Sequence, residues 1–162
     1  MSYFPNEDLK QEILDGKVWT GWAPRELINP NTSKLYELFT FAGIDFSFSA
    51  AISANSAFYV TISEGNSTGG LGNQIDNSVN MNRNVVGAHG FDVYEDPVLP
   101  VTSGTDLNTS YSNADGSLTG STAFNSDNGI ILQQSKNYII EIYNLSNVRS
   151  YYTMTWFMRE IS

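Results

Sequence analysis

Three carboxylates, Asp92, Glu95 and Asp96, fall within five consecutive residues, and a pair of carboxylates is what glycoside hydrolysis needs. Side chains of an extended strand alternate between faces, so Asp92 and Asp96 would share one face and Glu95 would lie opposite. We favour a structural role, a solvated strand end and turn before Pro97, because no second acidic cluster with an aromatic platform accompanies them. His89 is the sole histidine. One imidazole cannot supply two metal ligands, and no Gly-x-Ser-x-Gly element offers a nucleophile for a Ser/His/Asp triad; His89 is expected in loop or strand-edge packing. Asn113-Ala114-Asp115-Gly116 and Asn125-Ser126-Asp127-Asn128-Gly129 have the oxygen-rich composition of calcium loops, yet neither ends in the bidentate Glu of an EF-hand. Asn, Asp and Gly also make ordinary turns because they tolerate positive φ, and turns are the expectation. Trp19, Trp22, Tyr151, Tyr152 and Trp156 could form a platform for sugar rings, although cores and protein interfaces use the same residue types and are preferred here. No catalytic set, metal or cofactor is expected, and the chain reads as a non-enzyme.

The elements that must position these residues follow from a period of two. Between Gly43 and Ser53, Ile44, Phe46, Phe48, Ala50 and Ile52 alternate with Asp45, Ser47, Ser49, Ala51 and Ser53, the pattern of a strand that covers a core on one side only. The same period returns at Phe58, Val60 and Ile62, at Tyr138, Ile140 and Ile142, and at Tyr152, Met154, Trp156 and Met158. These segments predict an all-β fold, an antiparallel β-sandwich of jelly-roll-like type. Phe46, Phe48, Val60, Ile140, Ile142 and Trp156 are its expected core. Strands are expected at about 35–41, 43–53, 57–63, 91–95, 138–144 and 151–159. Residues 64–79 read as a glycine-rich loop, and 102–128 as a long loop or exposed hairpin.

Residues 6–15 form the only plausible helix: Asn6 can cap it, Glu7 and Asp8 suit its positive end, Leu9 and Ile13 share a face, and Gly16 stops it. The segment Val18 to Trp22, followed by Pro24 and Pro30, reads as an extended arm, since proline cannot donate to a central ladder. The expected organisation is therefore an N-terminal arm, residues 1–33, and a sandwich domain, residues 34–162. The arm holds too little core to be stable alone, so Phe4, Leu9, Ile13, Trp19 and Trp22 are expected to be buried against a capsid or sister subunit. The alternative is that this segment is the first strand of the sandwich, with Trp19 and Trp22 in its core.

Composition narrows the function. The chain has 162 residues, 41% of them apolar, enough for one core. Eight basic and seventeen acidic residues give a net charge of −9, which opposes nucleic-acid binding because there is no cationic excess to release counterions. Without cysteine neither disulfides nor thiolate metal sites hold the fold, leaving packing or association. The N-terminus lacks a basic n-region followed by an apolar h-region, and no apolar run approaches the ~20 residues that span a bilayer. A soluble product of the host cytoplasm, with no membrane partner, is expected. The N-x-Ser/Thr sequons at Asn31, Asn66, Asn108 and Asn144 are expected by chance in a chain this rich in Asn, Ser and Thr.

The order of segments carries a resemblance. Asn80-Met81-Asn82-Arg83-Asn84 follows a glycine-rich loop, then come Phe91-Asp92-Val93-Tyr94 with Asp96-Pro97, and Thr102-Ser103-Gly104-Thr105-Asp106-Leu107. Ile131-Leu132, a polar turn, Tyr138 through Ser146 and the terminal Trp156-Phe157-Met158-Arg159-Glu160 complete the series. Over roughly residues 38–160 this resembles bacteriophage head decoration (cement) proteins of jelly-roll or β-tulip type; related domains also occur in tail proteins. The resemblance implies a non-enzymatic virion protein on the outer capsid surface, partnered by the major capsid protein and by itself, as a homotrimer. It also implies that Arg83 braces a strand edge through planar hydrogen bonds. Residues before 33 depart from the pattern. The competing function is a carbohydrate- or receptor-binding module of a phage tail or adhesin.

Overall fold

The computed structural model describes residues 7–65, 67–75, 77–85, 89–102, 104–112, 119–124 and 130–161. Helix α1 (Glu7–Leu14) precedes twelve strands: β1 (Val18–Ile28), β2 (Ser33–Thr40), β3 (Asp45–Ala54), β4 (Phe58–Glu64), β5 (Asn73–Gln74), β6 (Val79–Asn80), β7 (Phe91–Glu95), β8 (Thr105–Ser112), β9 (Thr119–Phe124), β10 (Ile130–Leu132), β11 (Asn137–Asn144) and β12 (Ser150–Ile161). The first sheet runs β10-β3-β12-β1-β6, with β9 pairing further along β3, and the second runs β5-β7-β2-β11-β4-β8. All named pairs are antiparallel. The described residues form an all-β sandwich with one short helix.

Alternation fixes what lies between the sheets. On β3, Phe46, Phe48, Ala50, Ile52 and Ala54 are buried, and on β12 so are Tyr152, Met154, Trp156 and Met158. From the second sheet they meet Tyr36, Leu38, Val60, Ile62, Tyr138, Ile140 and Ile142. The six expected core residues are all at most 2% exposed. Each large apolar side chain so buried stabilises the fold by about 1.5–3 kcal/mol.

Two expectations need correction. Residues 18–28 are not a separate arm: β1 pairs with β12 along almost its whole length and with β6 on its other side, inside the first sheet. Trp19 is only 5% exposed and stands edge-on to Phe46 and Phe91, each at 6.3 Å between ring centroids. Pro24 is tolerated because it falls where the β1 to β12 register shifts, between Ala23 and Glu26, and so interrupts no regular ladder. Gly21 makes room for the Trp156 indole, to which a Cβ would come within 2.5 Å. The sandwich thus begins at Val18 rather than Lys34. Residues 102–128, expected as a loop or hairpin, contain two strands that join different sheets, β8 beside β4 and β9 beside β3.

One buried side chain ties the corners where the chain changes sheets. Asn144, fully buried, donates through Nδ2 to the carbonyls of Ile28 (3.1 Å), Asn29 (3.3 Å) and Val148 (2.8 Å). Its Oδ1 accepts from Ser146 N (2.9 Å), Ser146 Oγ (2.7 Å) and Ser56 Oγ (3.4 Å). The β1 to β2, β3 to β4 and β11 to β12 connections therefore meet at one amide. That use of Asn144 leaves its sequon with a structural meaning.

Candidate binding surface

The carboxylates that could have done chemistry are distributed by the strand and engaged by neighbours. Lys34 Nζ lies 2.7 Å from Asp96, 3.3 Å from Glu95 and 3.5 Å from Glu26. Burial alone would lower the Lys34 pKa, but the bond to Asp96 and the charges of Asp96, Glu26 and Glu95 outweigh it and raise the pKa. Asp92 accepts from Gln74 Nε2 (3.0 Å) and from the Tyr94 hydroxyl (3.4 Å). Asp96 has left the strand, with φ of 52°, so the expected shared face with Asp92 is lost. His89 stacks on Phe91 and donates through Nδ1 to the Phe91 carbonyl. Among the described residues no group of three or more His, Asp or Glu side chains is placed to hold a metal ion, and no helix is long and apolar enough to cross a membrane. The Asn113–Gly116 and Asn125–Gly129 runs lie outside the described residues.

The residues expected to bind a partner are dispersed. Trp19 is in the core, Trp22 is 48% exposed on the outer side of β1, and Leu9 and Ile13 are half-buried on α1; Phe4 lies outside the described residues. Helix α1 is fastened in cis. Asn80 Nδ2 donates to the Gly16 carbonyl at 2.6 Å, Asn82 Nδ2 donates to the Leu14 carbonyl at 2.7 Å, and Arg159 lies 3.3 Å from Glu12. Asn80 and Asn82 thus hold the C-terminal end of the helix. Arg83 itself is exposed, beside Ser78 and His89 at a shallow cavity. Of the supposed aromatic platform, Trp19, Tyr152 and Trp156 face inward, while Trp22 and Tyr151 face outward with Arg25 stacked 4.0 Å above the Tyr151 ring.

What remains on the outside are two contrasting faces. The first sheet presents Ala51, Ser53, Thr153, Thr155 and Trp22, an uncharged patch across three adjacent strands, bounded at one end by Arg25 over Tyr151 and at the other by Arg159, which lies opposite Ser47. The outer face of the second sheet carries a tyrosine ladder. Tyr111, Tyr59 and Tyr143 lie in register on β8, β4 and β11. Tyr59 and Tyr143 stack at 4.9 Å and 10°, and Tyr111 is tilted against Tyr59 at 5.8 Å. The Tyr59 phenol is pushed up by burial and then by the Glu141 charge and the two other tyrosines. In the next row Thr61 and Thr109 share a hydrogen bond of 3.1 Å, and Glu141 accepts from Ser33 Oγ. Beyond it a cavity of about 280 Å³ is lined by Leu35, Ser63, Leu99, Val101, Asp106, Ile139 and also by Thr61 and Glu141.

Loops build the wall of that cavity. The glycine-rich segment 65–72 bridges to 98–102 through Ser67 with Thr102 and Gly70 with Val98. Gly72 passes so close to the strand end that a Cβ would lie 1.8 Å from the Glu95 carbonyl oxygen. Glu37, outward on β2 but buried beneath this loop, accepts from Asn137 Nδ2 (3.3 Å) and Thr68 Oγ1 (3.4 Å). The tyrosine ladder did have a signal in sequence: Tyr59 and Tyr143 occupy the outward positions of strands whose inward positions are apolar. A large aromatic at such a position marks a surface built for contact. Their partnership depends on strand order, which spacing along the chain does not give. No protein-family model matches the chain, nor does any curated protein or solved structure.

Proposed function

We propose that this chain is a non-enzymatic decoration protein of a bacteriophage head, docked on the outer surface of the assembled capsid where it ties capsomers together. The major capsid protein is its partner, and a homotrimer is the working form that the sequence resemblance suggests. The uncharged patch around Trp22 on the outer face of the first sheet supports this reading most directly. In a chain of net charge −9, a patch of Ser, Thr and Ala around Trp22 can be covered without desolvating an ion, which is the composition that the centre of a protein interface favours. Trp22 supplies the kind of anchor that dominates such contacts. Docking across a capsomer boundary stabilises the shell by mass action, since the protein then binds assembled subunits better than free ones. The structural engagement of Asp92, Glu95 and Asp96 agrees with a role without catalysis.

Co-sedimentation with expanded heads tests the reading. The wild-type chain should pellet with heads, and Trp22→Ala and Thr155→Lys should remain folded but stay in the supernatant. A wild-type chain that ignores heads and is retained on a glycan array would select the competing function, a carbohydrate- or receptor-binding module of a tail or adhesin.

A further inference from the structure

We propose that the cavity on the outer face of the second sheet is a recognition pocket for a Lys or Arg side chain, presented by an extended basic segment of a partner protein. The pocket does not depend on the docking face described above; it lies on the opposite side of the sandwich. Its floor is apolar, with Ile139 buried and Leu35 half-buried, and its wall is Leu99, 71% exposed, with Val101. Its polar lining comes from Asp106 on β8 and Glu141 on β11, with the hydroxyls of Thr61 and Ser63 on the strand between them.

Charge identifies the occupant. Glu26, Glu95 and Asp96 converge on Lys34, and Glu12 meets Arg159. Asp106 and Glu141 have no such cation within salt-bridge distance among the described residues, and Glu141 is met by a neutral Ser33 hydroxyl. A long aliphatic stem lying between Leu99 and Ile139, with a cationic head at the carboxylates, satisfies both the apolar and the charged parts of the lining. Tyr111, 70% exposed at the end of the ladder, offers a ring to a second cation of the same segment. An anion would be repelled. A saccharide has less to stack on, because Tyr59 and Tyr143 cover each other's faces.

The test is a titration of the full ¹⁵N-labelled chain with acetyl-Arg-Arg-Arg-amide, with cellohexaose as the comparison probe, followed by amide shifts. Saturable shifts confined to residues 59–63, 99–111 and 139–143 are expected, weakening steeply as salt rises. The double variant Asp106→Asn, Glu141→Gln should weaken binding by about tenfold or more while the rest of its spectrum is unchanged, and Asp15→Asn, an exposed acid remote from the pocket, should leave it unaltered. Shifts spread over all acidic surfaces, or equal weakening by Asp15→Asn, would show mere attraction to net charge and overturn the proposal. So would cellohexaose perturbing these residues while the peptide does not.

Discussion

The outer faces of the two sheets rest on one core and are made by the same alternation, yet they carry opposite chemistry. On the first sheet the outward positions around Trp22 are Ala51, Ser53, Thr153 and Thr155, with Arg25 and Arg159 at the margins; on the second, β4, β11 and β8 turn out three tyrosines, Glu141 and Asp106 beside a loop-walled cavity. Inward positions are dictated by packing, so both sheets spend them on Phe, Ile, Tyr, Met and Trp. Outward positions are released from that demand, and a difference between them reports what each face meets. An uncharged patch is suited to being covered, and an aromatic, acidic face with a cavity is suited to selecting what enters.

The comparison presupposes a shared core, and the largest expected effect tests that. Phe48→Ala should destabilise the fold by about 3–5 kcal/mol in urea unfolding. It should do so in a single transition seen alike by tryptophan fluorescence, which reports Trp19 and Trp156 against the first sheet, and by far-ultraviolet dichroism, which reports both sheets. Two separate transitions would mean that the sheets fold independently and that their outer faces cannot be read as two sides of one body.

A second effect divides the sheets by pH. Tyr36 and Tyr138, both on the second sheet, have pKa values pushed well above that of an exposed phenol, chiefly by burial, and Tyr36 also by Glu26, Glu95 and Asp96. Lys34, on the same sheet, is raised as well. On the first sheet Tyr152 is raised by burial, partly offset by Ser56. A group whose folded pKa is raised contributes stability that is complete below its unfolded value, about 10 for tyrosine and lysine, and is lost as pH rises through the folded value. Unfolding free energy should therefore be level up to about pH 9.5 and then fall by about 1.4 kcal/mol per pH unit for each such tyrosine. Tyr36→Phe should make the fall shallower by one tyrosine's share. An unchanged alkaline slope in that variant would remove the second sheet's special sensitivity to alkali.

How far all this could be read beforehand depends on which forces act locally. The strands of the core were legible because burial on one side writes a period of two into residues such as Phe46, Phe48, Ala50 and Ile52. Strand β8 was not, because as an edge strand with mostly exposed side chains it needs no apolar face; Thr105 through Ser112 shows none. Strand β1 was misjudged on account of Pro24, whose cost vanishes at a register shift that only the partner strand creates. The corner role of Asn144 had no local signal beyond its sequon, since its hydrogen bonds reach two distant connections as well as its own. The candidate cavity was hidden for the same reason: Asp106, Glu141 and Leu99 become neighbours through the order of strands in a sheet. Local propensity chooses strand or turn, whereas strand order is settled by the whole molecule.

The smallest effect bears most directly on the comparison, because it separates what each face does for the fold from what it does for a partner. Tyr59 sits in the middle of the ladder, between Tyr143 and Tyr111, and cross-strand aromatic pairs stabilise a sheet by about 0.5–1.5 kcal/mol beyond the area they bury. Tyr59→Ala should therefore cost the isolated chain about 1–2 kcal/mol. Thr155, exposed on β12 opposite Trp22 and Ala51, has no comparable neighbour to lose, and Thr155→Lys should change stability by no more than about 0.5 kcal/mol. Both can be measured by urea unfolding of the same preparation used for binding. If Thr155→Lys proves the more damaging in the isolated chain, the first face is already covered within the free protein, and its uncharged surface is an interface between copies rather than one held open for a capsid. If the two costs fall in the expected order, loss of head binding by Thr155→Lys can be assigned to the face itself, because the fold beneath it is intact.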